Sequence, residues 1–140
     1  MSLIEETDEL MLDFDKIAKI DPVNRVIPVA VQNLDTKEVI LIAYVNEEAL
    51  RESIKQRKVI LWSTSRNKLW FKGETSGETF DLLEAYVNCE QNSLLYLVRP
   101  FPEGARHGIC HTRDASGEPR RGCFYRRIDL DTLELRNENP

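Results

Sequence analysis

The residues best suited to chemistry are three cysteines, Cys89, Cys110 and Cys123, in a C-x20-C-x12-C arrangement. His111 adjoins Cys110, and His107 stands three residues before it. Thiolates and imidazoles are preferred zinc ligands, and a catalytic zinc takes three protein ligands and leaves one position open to water. The inventory suits such a site. The spacing is not that of a zinc finger, so the competing reading is three unrelated buried cysteines. An odd count with no visible secretory signal argues against a disulfide framework.

A second group runs from Trp62 to Gly77, W-S-T-S-R-N-K-L-W-F-K-G-E-T-S-G. It combines aromatic faces, hydroxyls, glycines and cations. A purine can stack on Trp, and a phosphate can take hydroxyl and N–H donors together with Arg or Lys. Against this, tryptophans are usually packing residues, and the segment also reads as a surface hairpin. A third group is Asn88-Cys89-Glu90-Gln91-Asn92. Read as extended chain, it points 88, 90 and 92 to one side and Cys89 to the other. Three oxygen-bearing side chains can face a hard cation, although one carboxylate among them also fits a solvated turn.

These groups need a scaffold. Asp8 to Ile20 predicts a short helix, interrupted at Asp21-Pro22. Ile27, Val29 and Val31 alternate as in a strand, Leu34 to Lys37 is turn material, and Val39 to Tyr44 is an apolar run of strand length. Asn46 as N-cap with Glu47 and Glu48 predicts a helix over about 47–57. Further strands are expected at Val59–Trp62, Leu69–Phe71, Phe80–Val87 and Leu94–Val98. Residues 99–122 read as an extended loop, and Phe124 to Leu135 as a final strand and tail. The expectation is a β-rich α+β fold with mostly antiparallel sheets and one main helix. Residues 1–23 are expected to form an N-terminal helical segment, and 24–140 a single domain.

The 140 residues suffice for one domain. No run is long enough to span a membrane, and no signal peptide is visible, so a cytoplasmic location is expected. A net charge of −5 argues against a nucleic-acid polymer or an anionic membrane as partner. Residues 99–127 nevertheless hold Arg99, Arg106, Arg113, Arg120, Arg121, Arg126 and Arg127 against three acids. A local cationic stretch on an acidic chain suits a small phosphorylated ligand; ordinary surface arginines are the plainer reading.

Taken in order, these blocks resemble the phosphoribosyl-AMP cyclohydrolase family of histidine biosynthesis over about residues 24–126. The resemblance rests on Pro28-Val29-Ala30 with Val31-Gln32, on Ala43 to Leu50, on Leu61 to Arg66 and on Leu69 to Gly77. It continues through Cys89, Cys110-His111-Thr112 and Cys123-Phe124-Tyr125. It implies a homodimer with a zinc site at the subunit interface, Cys89 coming from one chain and Cys110 and Cys123 from the other. It implies that His111 helps manage protons, with Glu74 a second candidate. Arg66, Lys72, Thr75, Ser76 and Ser63 would hold phosphate or ribose, and Trp62 or Trp70 would stack on the base. The implied reaction is hydrolytic opening of the adenine ring of 1-(5-phosphoribosyl)-AMP at N1–C6, with zinc lowering the pKa of its water towards about 7.

The resemblance also implies magnesium, held by acids in a D-C-D-x-D pattern. Here Asn88, Glu90 and Asn92 stand at those positions, which lowers the expected affinity for a cation held largely by carboxylate charge. Twelve residues separate Cys110 from Cys123 where the family usually has about six, and Thr64 stands where it usually has Arg. A longer loop closes at little added entropic cost, so zinc remains expected. Two rivals stay open: a zinc hydrolase acting on another purine or heterocycle, and a non-catalytic nucleotide- or zinc-binding module.

Overall fold

The computed structural model describes residues 25–72, 79–101, 110 and 112–140. The expected helix at 8–20 lies outside them. The chain forms β1 (Ile27–Asn33), β2 (Val39–Val45), α1 (Glu47–Gln56), β3 (Ile60–Ser63) and β4 (Lys68–Phe71). It continues with β5 (Thr79–Val87), β6 (Leu94–Phe101), β7 (Arg126–Ile128) and β8 (Leu135–Asn137).

The β1–β2 hairpin follows from its sequence. Ile27, Val29 and Val31 are buried on one face. The turn is set by Asn33, whose Oδ1 accepts from the amides of Asp35 (2.9 Å) and Thr36 (3.1 Å), as Asn side chains do in turns. The helix begins as its cap predicts: the Ala49 amide donates to Asn46 Oδ1 at 2.9 Å. It ends at Arg57 in the left-handed region, whose amide donates to Ser53 O. Its inner face buries Ala49, Leu50 and Ser53. Ser53 Oγ donates to Ile60 O (2.8 Å) and accepts from Ile60 N (3.0 Å), tying α1 to the start of β3.

The main sheet has the order β2-β1-β6-β5. The pairs β1–β2 and β5–β6 are antiparallel, as expected, but β1 and β6 run parallel. That pairing joins strands far apart in sequence, and no local pattern announces it. The core packs Ile27, Val29, Val31, Tyr96, Val98, Phe80 and Leu82 with Val45, Leu50, Val59 and Leu61. In β5 the register shifts between Leu82 and Glu84. This bulge at Leu83 leaves Leu82 buried opposite Val98 and sets Glu84 opposite Leu97, on the other face.

The β3–β4 hairpin joins β5 through Val59 N to Phe80 O, Leu82 N to Arg57 O and the Lys58–Asp81 ion pair. Two expectations need correction. Residues 99–101 extend β6 instead of opening a loop. The C-terminal region is a further hairpin, β7–β8, whose turn Asp129 closes by accepting from the amides of Asp131 and Thr132. No described helix is long and apolar enough to cross a membrane.

Candidate active site

Cys110 is buried and sits at the base of a small self-closing hairpin. Its amide donates to Arg120 O at 2.8 Å, Arg120 N donates to Thr112 O at 3.1 Å, and Arg113 bridges to Pro119. Asp114 turns the tip, its Oδ1 accepting from Ser116 N, Ser116 Oγ and Glu118 N. The long spacer between Cys110 and Cys123 is thus folded on itself, and its ends stay close. Cys123 is then anchored on the outer edge of β2, its amide donating to Ile40 O at 2.7 Å. The approach demands glycine just before it: a Cβ on Gly122 would lie 3.1 Å from Ile40 O.

This folding brings Cys110 and Cys123 together. Much of Cys123 is exposed, but its thiol lies near enough to that of Cys110 for the two to influence each other's charge. Burial pushes the Cys123 pKa up to about 11, the neighbouring sulfur adds to the rise, and the Lys72 ammonium opposes it. Lys72, at the end of β4, is itself buried, its Nζ 5.2 Å from the centre of the Phe80 ring. On the other side, Thr112 directs its hydroxyl (3.0 Å) and amide (3.5 Å) at Cys110 Sγ. Sequence reading missed Thr112, although its place two residues after a cysteine was visible. Among the described residues, no third Cys, His, Asp or Glu joins the pair to make a metal site.

Cys89 is exposed on the β5–β6 turn. The segment is not extended. Asn88 N donates to Ser93 O and Gln91 N to Asn88 O, and Gln91 is buried with a positive φ of 53°. Asn88, Glu90 and Asn92 do meet, but through hydrogen bonds to one another: Asn88 Nδ2 donates to Asn92 Oδ1 (2.7 Å), and Asn92 Nδ2 to Glu90 Oε2 (3.2 Å).

In the β3–β4 hairpin, Trp62 pairs with Leu69 and Trp70 with Leu61. Paired residues share a face, so the tryptophans lie on opposite faces and cannot sandwich one base between them. Both pack against the core. Trp62 Nε1 is buried and meets no hydrogen-bond acceptor among the described residues. Ser63 Oγ shapes the turn by accepting from Arg66 N at 3.2 Å, which leaves Arg66 exposed at the tip. Lys72 follows the other end of β4, so the two cations are about 13 Å apart along the hairpin. Glu74, Thr75, Ser76 and His111 lie outside the described residues.

Most of the arginine-rich stretch has structural employment. Arg99 makes a bidentate pair with Asp35 and holds that carboxyl below its usual range. Arg121 pairs with Glu38, Arg113 donates to Gly117 O, and Arg120 donates to Asn139 O while lying over the Tyr125 ring. A groove of about 340 Å³ between β2 and the C-terminal segment is lined by Glu38, Val39, Arg121, Phe124 and Tyr125, among others. It holds none of the expected substrate-binding residues.

The sequence model of the phosphoribosyl-AMP cyclohydrolase family matches residues 41–125. The chain belongs to the phosphoribosyl-AMP cyclohydrolase family. It is 39% identical over 131 residues to a phosphoribosyl-AMP cyclohydrolase of Hyphomonas neptunium, covering 94% of this chain and 86% of that protein. A phosphoribosyl-AMP cyclohydrolase of Archaeoglobus fulgidus is 42% identical over 107 residues, 76% of this chain and 89% of its own length. A histidine biosynthesis bifunctional protein HisIE of Haemophilus influenzae is 42% identical over 111 residues, and the chain spans 45% of that longer protein.

Zinc fits the donor set: two neighbouring sulfurs, with the Thr112 hydroxyl and amide on one of them and a third cysteine on an exposed turn. Magnesium does not fit the residues beside Cys89. It demands near-octahedral oxygen coordination. Here one carboxylate is accompanied by two neutral amides whose N–H groups point at the oxygens a cation would need.

Proposed function

We infer that this chain is a phosphoribosyl-AMP cyclohydrolase of histidine biosynthesis. The observation that carries the reading is family membership through the middle of the chain, with similarity to a whole cyclohydrolase over 94% of it. The reaction is hydrolysis of the N1–C6 bond in the adenine of 1-(5-phosphoribosyl)-AMP. Substitution at N1 makes C6 electron-poor, so water adds there, N1 departs, and the oxygen remains as the carboxamide.

Cys110 and Cys123 of one chain and Cys89 of another would hold the zinc, which lowers the pKa of its coordinated water towards about 7. His111 adjoins Cys110 in sequence, and an imidazole titrating near neutrality can take the proton from the attacking oxygen and return it to N1. Glu74 is the alternative carrier. Arg66 and Lys72 stand at opposite ends of one hairpin, which suits a substrate with two separate phosphates; Thr75 and Ser76 add hydroxyl donors. The tryptophans, packed as they are, offer at most one face to the base.

The protein acts as a cytoplasmic homodimer in this reading. Two observations support the dimer. The cysteine pair lacks a third ligand within the described part of one chain. In addition, Ile42, Ala30, Leu95 and Tyr86 are register partners across all four strands, on the sheet face away from the core. Ile42 and Tyr86 are more than half exposed, and an apolar face of this kind marks an association surface.

The test is zinc per protomer and ring opening followed by absorbance, in wild type and Cys110→Ser. The variant should lose both. Full zinc and an unchanged rate in the variant would remove Cys110 from the site. A wild type that carries zinc and binds the nucleotide but does not turn it over would be a binding module instead.

A further inference from the structure

We propose that a hydrogen-bonded relay, Asn88 to Asn92 to Glu90, takes the place of a divalent cation in shaping the Cys89 turn, so that this chain presents Cys89 without magnesium. The proposal rests on the cyclohydrolase reading only for the expectation that a cation belongs there.

The direction of the relay is fixed by the backbone. The amides of Asn92 (2.9 Å) and Ser93 (3.0 Å) both donate to one oxygen, Asn88 Oδ1. With Oδ1 committed, Nδ2 is the group Asn88 turns to Asn92, and it donates to Asn92 Oδ1 at 2.7 Å. That in turn sets Asn92 Nδ2 on Glu90 Oε2 at 3.2 Å. Flipping either amide would place donor against donor or oxygen against oxygen. The orientation therefore propagates from two main-chain N–H groups through both side chains to the carboxylate.

Charge acts in the same direction. Three carboxylates at 88, 90 and 92 would repel one another at this range and would need a cation between them. Two amides and one carboxylate are complementary as they stand. Donor N–H groups occupy the directions from which a cation would be coordinated, and only one negative charge remains to attract it. The turn is also closed by its own main-chain bonds, Asn88 N to Ser93 O at 3.1 Å and Gln91 N to Asn88 O at 3.0 Å. The substitutions that weaken a magnesium site thus remove the need for one.

The experiment titrates the zinc-loaded full chain with Mn²⁺ as the probe, reading free Mn²⁺ by electron paramagnetic resonance, with Mg²⁺ as competitor. Wild type should bind no Mn²⁺ at this turn more tightly than about 1 mM, the weak end of carboxylate sites. The double variant Asn88→Asp/Asn92→Asp should bind about one Mn²⁺ per protomer at least about tenfold more tightly, displaced by Mg²⁺. A wild type that binds one Mn²⁺ per protomer in the micromolar range, displaced by Mg²⁺ and lost in Asn92→Ala, overturns the proposal. Should the double variant not fold, thermal unfolding of wild type decides: 10 mM Mg²⁺, roughly ten times that limit, should move the midpoint by less than about 5 °C, and a larger rise overturns it. Neither readout uses turnover, so an inactive enzyme and a wrong relay are told apart.

Discussion

The Cys110–Cys123 pair and the Cys89 turn present the same kind of atom by opposite means. The pair depends on distant parts of the fold. Cys123 is held by the main chain of β2, Lys72 stands over Phe80 beside it, and the sulfurs pack where burial raises the Cys123 thiol to about 11. The turn draws much of its closure from near neighbours: Asn88, Asn92 and Ser93 bond to one another within six residues. One half of the proposed centre is thus tied to a distant strand of the main sheet, while the other sits exposed on the end of a long β-ribbon. A site divided in this way can be assembled late, when two finished subunits meet.

The sharpest way to break the comparison is complementation. Cys89→Ser and Cys123→Ser should each lose on the order of a thousandfold in turnover, because metal activation of water contributes several kcal/mol. Refolding the two variants together should restore about a quarter of wild-type activity, since about half of random dimers are mixed and each mixed dimer holds one intact site. No recovery would place all three sulfurs in a single chain.

Next in size is the dependence of the pair on the core. Phe80→Ala should cost about 3–5 kcal/mol by denaturant unfolding, whereas Phe124→Ala, at a residue 61% exposed, should stay within about 0.5 kcal/mol. Equal losses would mean that the region following Cys123 packs far more tightly than its exposure indicates.

Alkaline pH probes the sheet that separates the two cysteine regions. Burial raises the Tyr96 hydroxyl from 10 to about 12. Ser53 is near enough to oppose the shift, but its Oγ is already engaged twice with Ile60, and Tyr96 Oη finds no hydrogen-bond partner among the described residues. The folded state keeps this proton where the unfolded chain has lost it, so stability is intact below pH 10 and falls as pH rises towards 12. The fall attributable to this group is on the order of 2 kcal/mol, and it should vanish in Tyr96→Phe, measured as the difference between the two unfolding curves at pH 9 and pH 11.5.

The smallest effect separates the two halves directly. Gly122→Ala forces its new methyl against Ile40 O and should cost about 1–2 kcal/mol. Thiol labelling should quicken at Cys123 and stay unchanged at Cys89. Equal changes at both would show that the turn is not local after all.

The legible parts of this fold were those fixed by near neighbours. Asn46 with two acids behind it announced α1, and the alternation of Ile27, Val29 and Val31 followed by Asn33 announced the first hairpin. The parallel β1–β6 contact was hidden because register between distant strands is settled by the whole core and not by either segment. The Asn88–Asn92 stretch allowed two readings from its sequence: the turn is the one the structure adopts, and the extended alternative fails because side-chain amides close the chain back on itself. Cysteine type and count were visible, but the meeting of Cys110 with Cys123 depends on a spacer that folds on Asp114 and on a glycine that lets the main chain touch β2. Likewise, the turn closed by Asp129 has its signal in the sequence, an Asp two and three residues before the amides it accepts from, but the short strands beside it lack a buried face to announce a hairpin.

The parallel pairing of Val29–Asn33 with Leu94–Val98 carries a consequence for biosynthesis. As the polypeptide leaves the ribosome, β1 and β2 emerge first and can zip together at once, yet one border of β1 keeps bare amides and carbonyls until β6 has been translated. An uncovered border of this kind recruits strands from other nascent chains. Overexpression at high temperature should therefore yield inclusion bodies seeded by the first hairpin, and slower translation through β3 to β5 should worsen the yield.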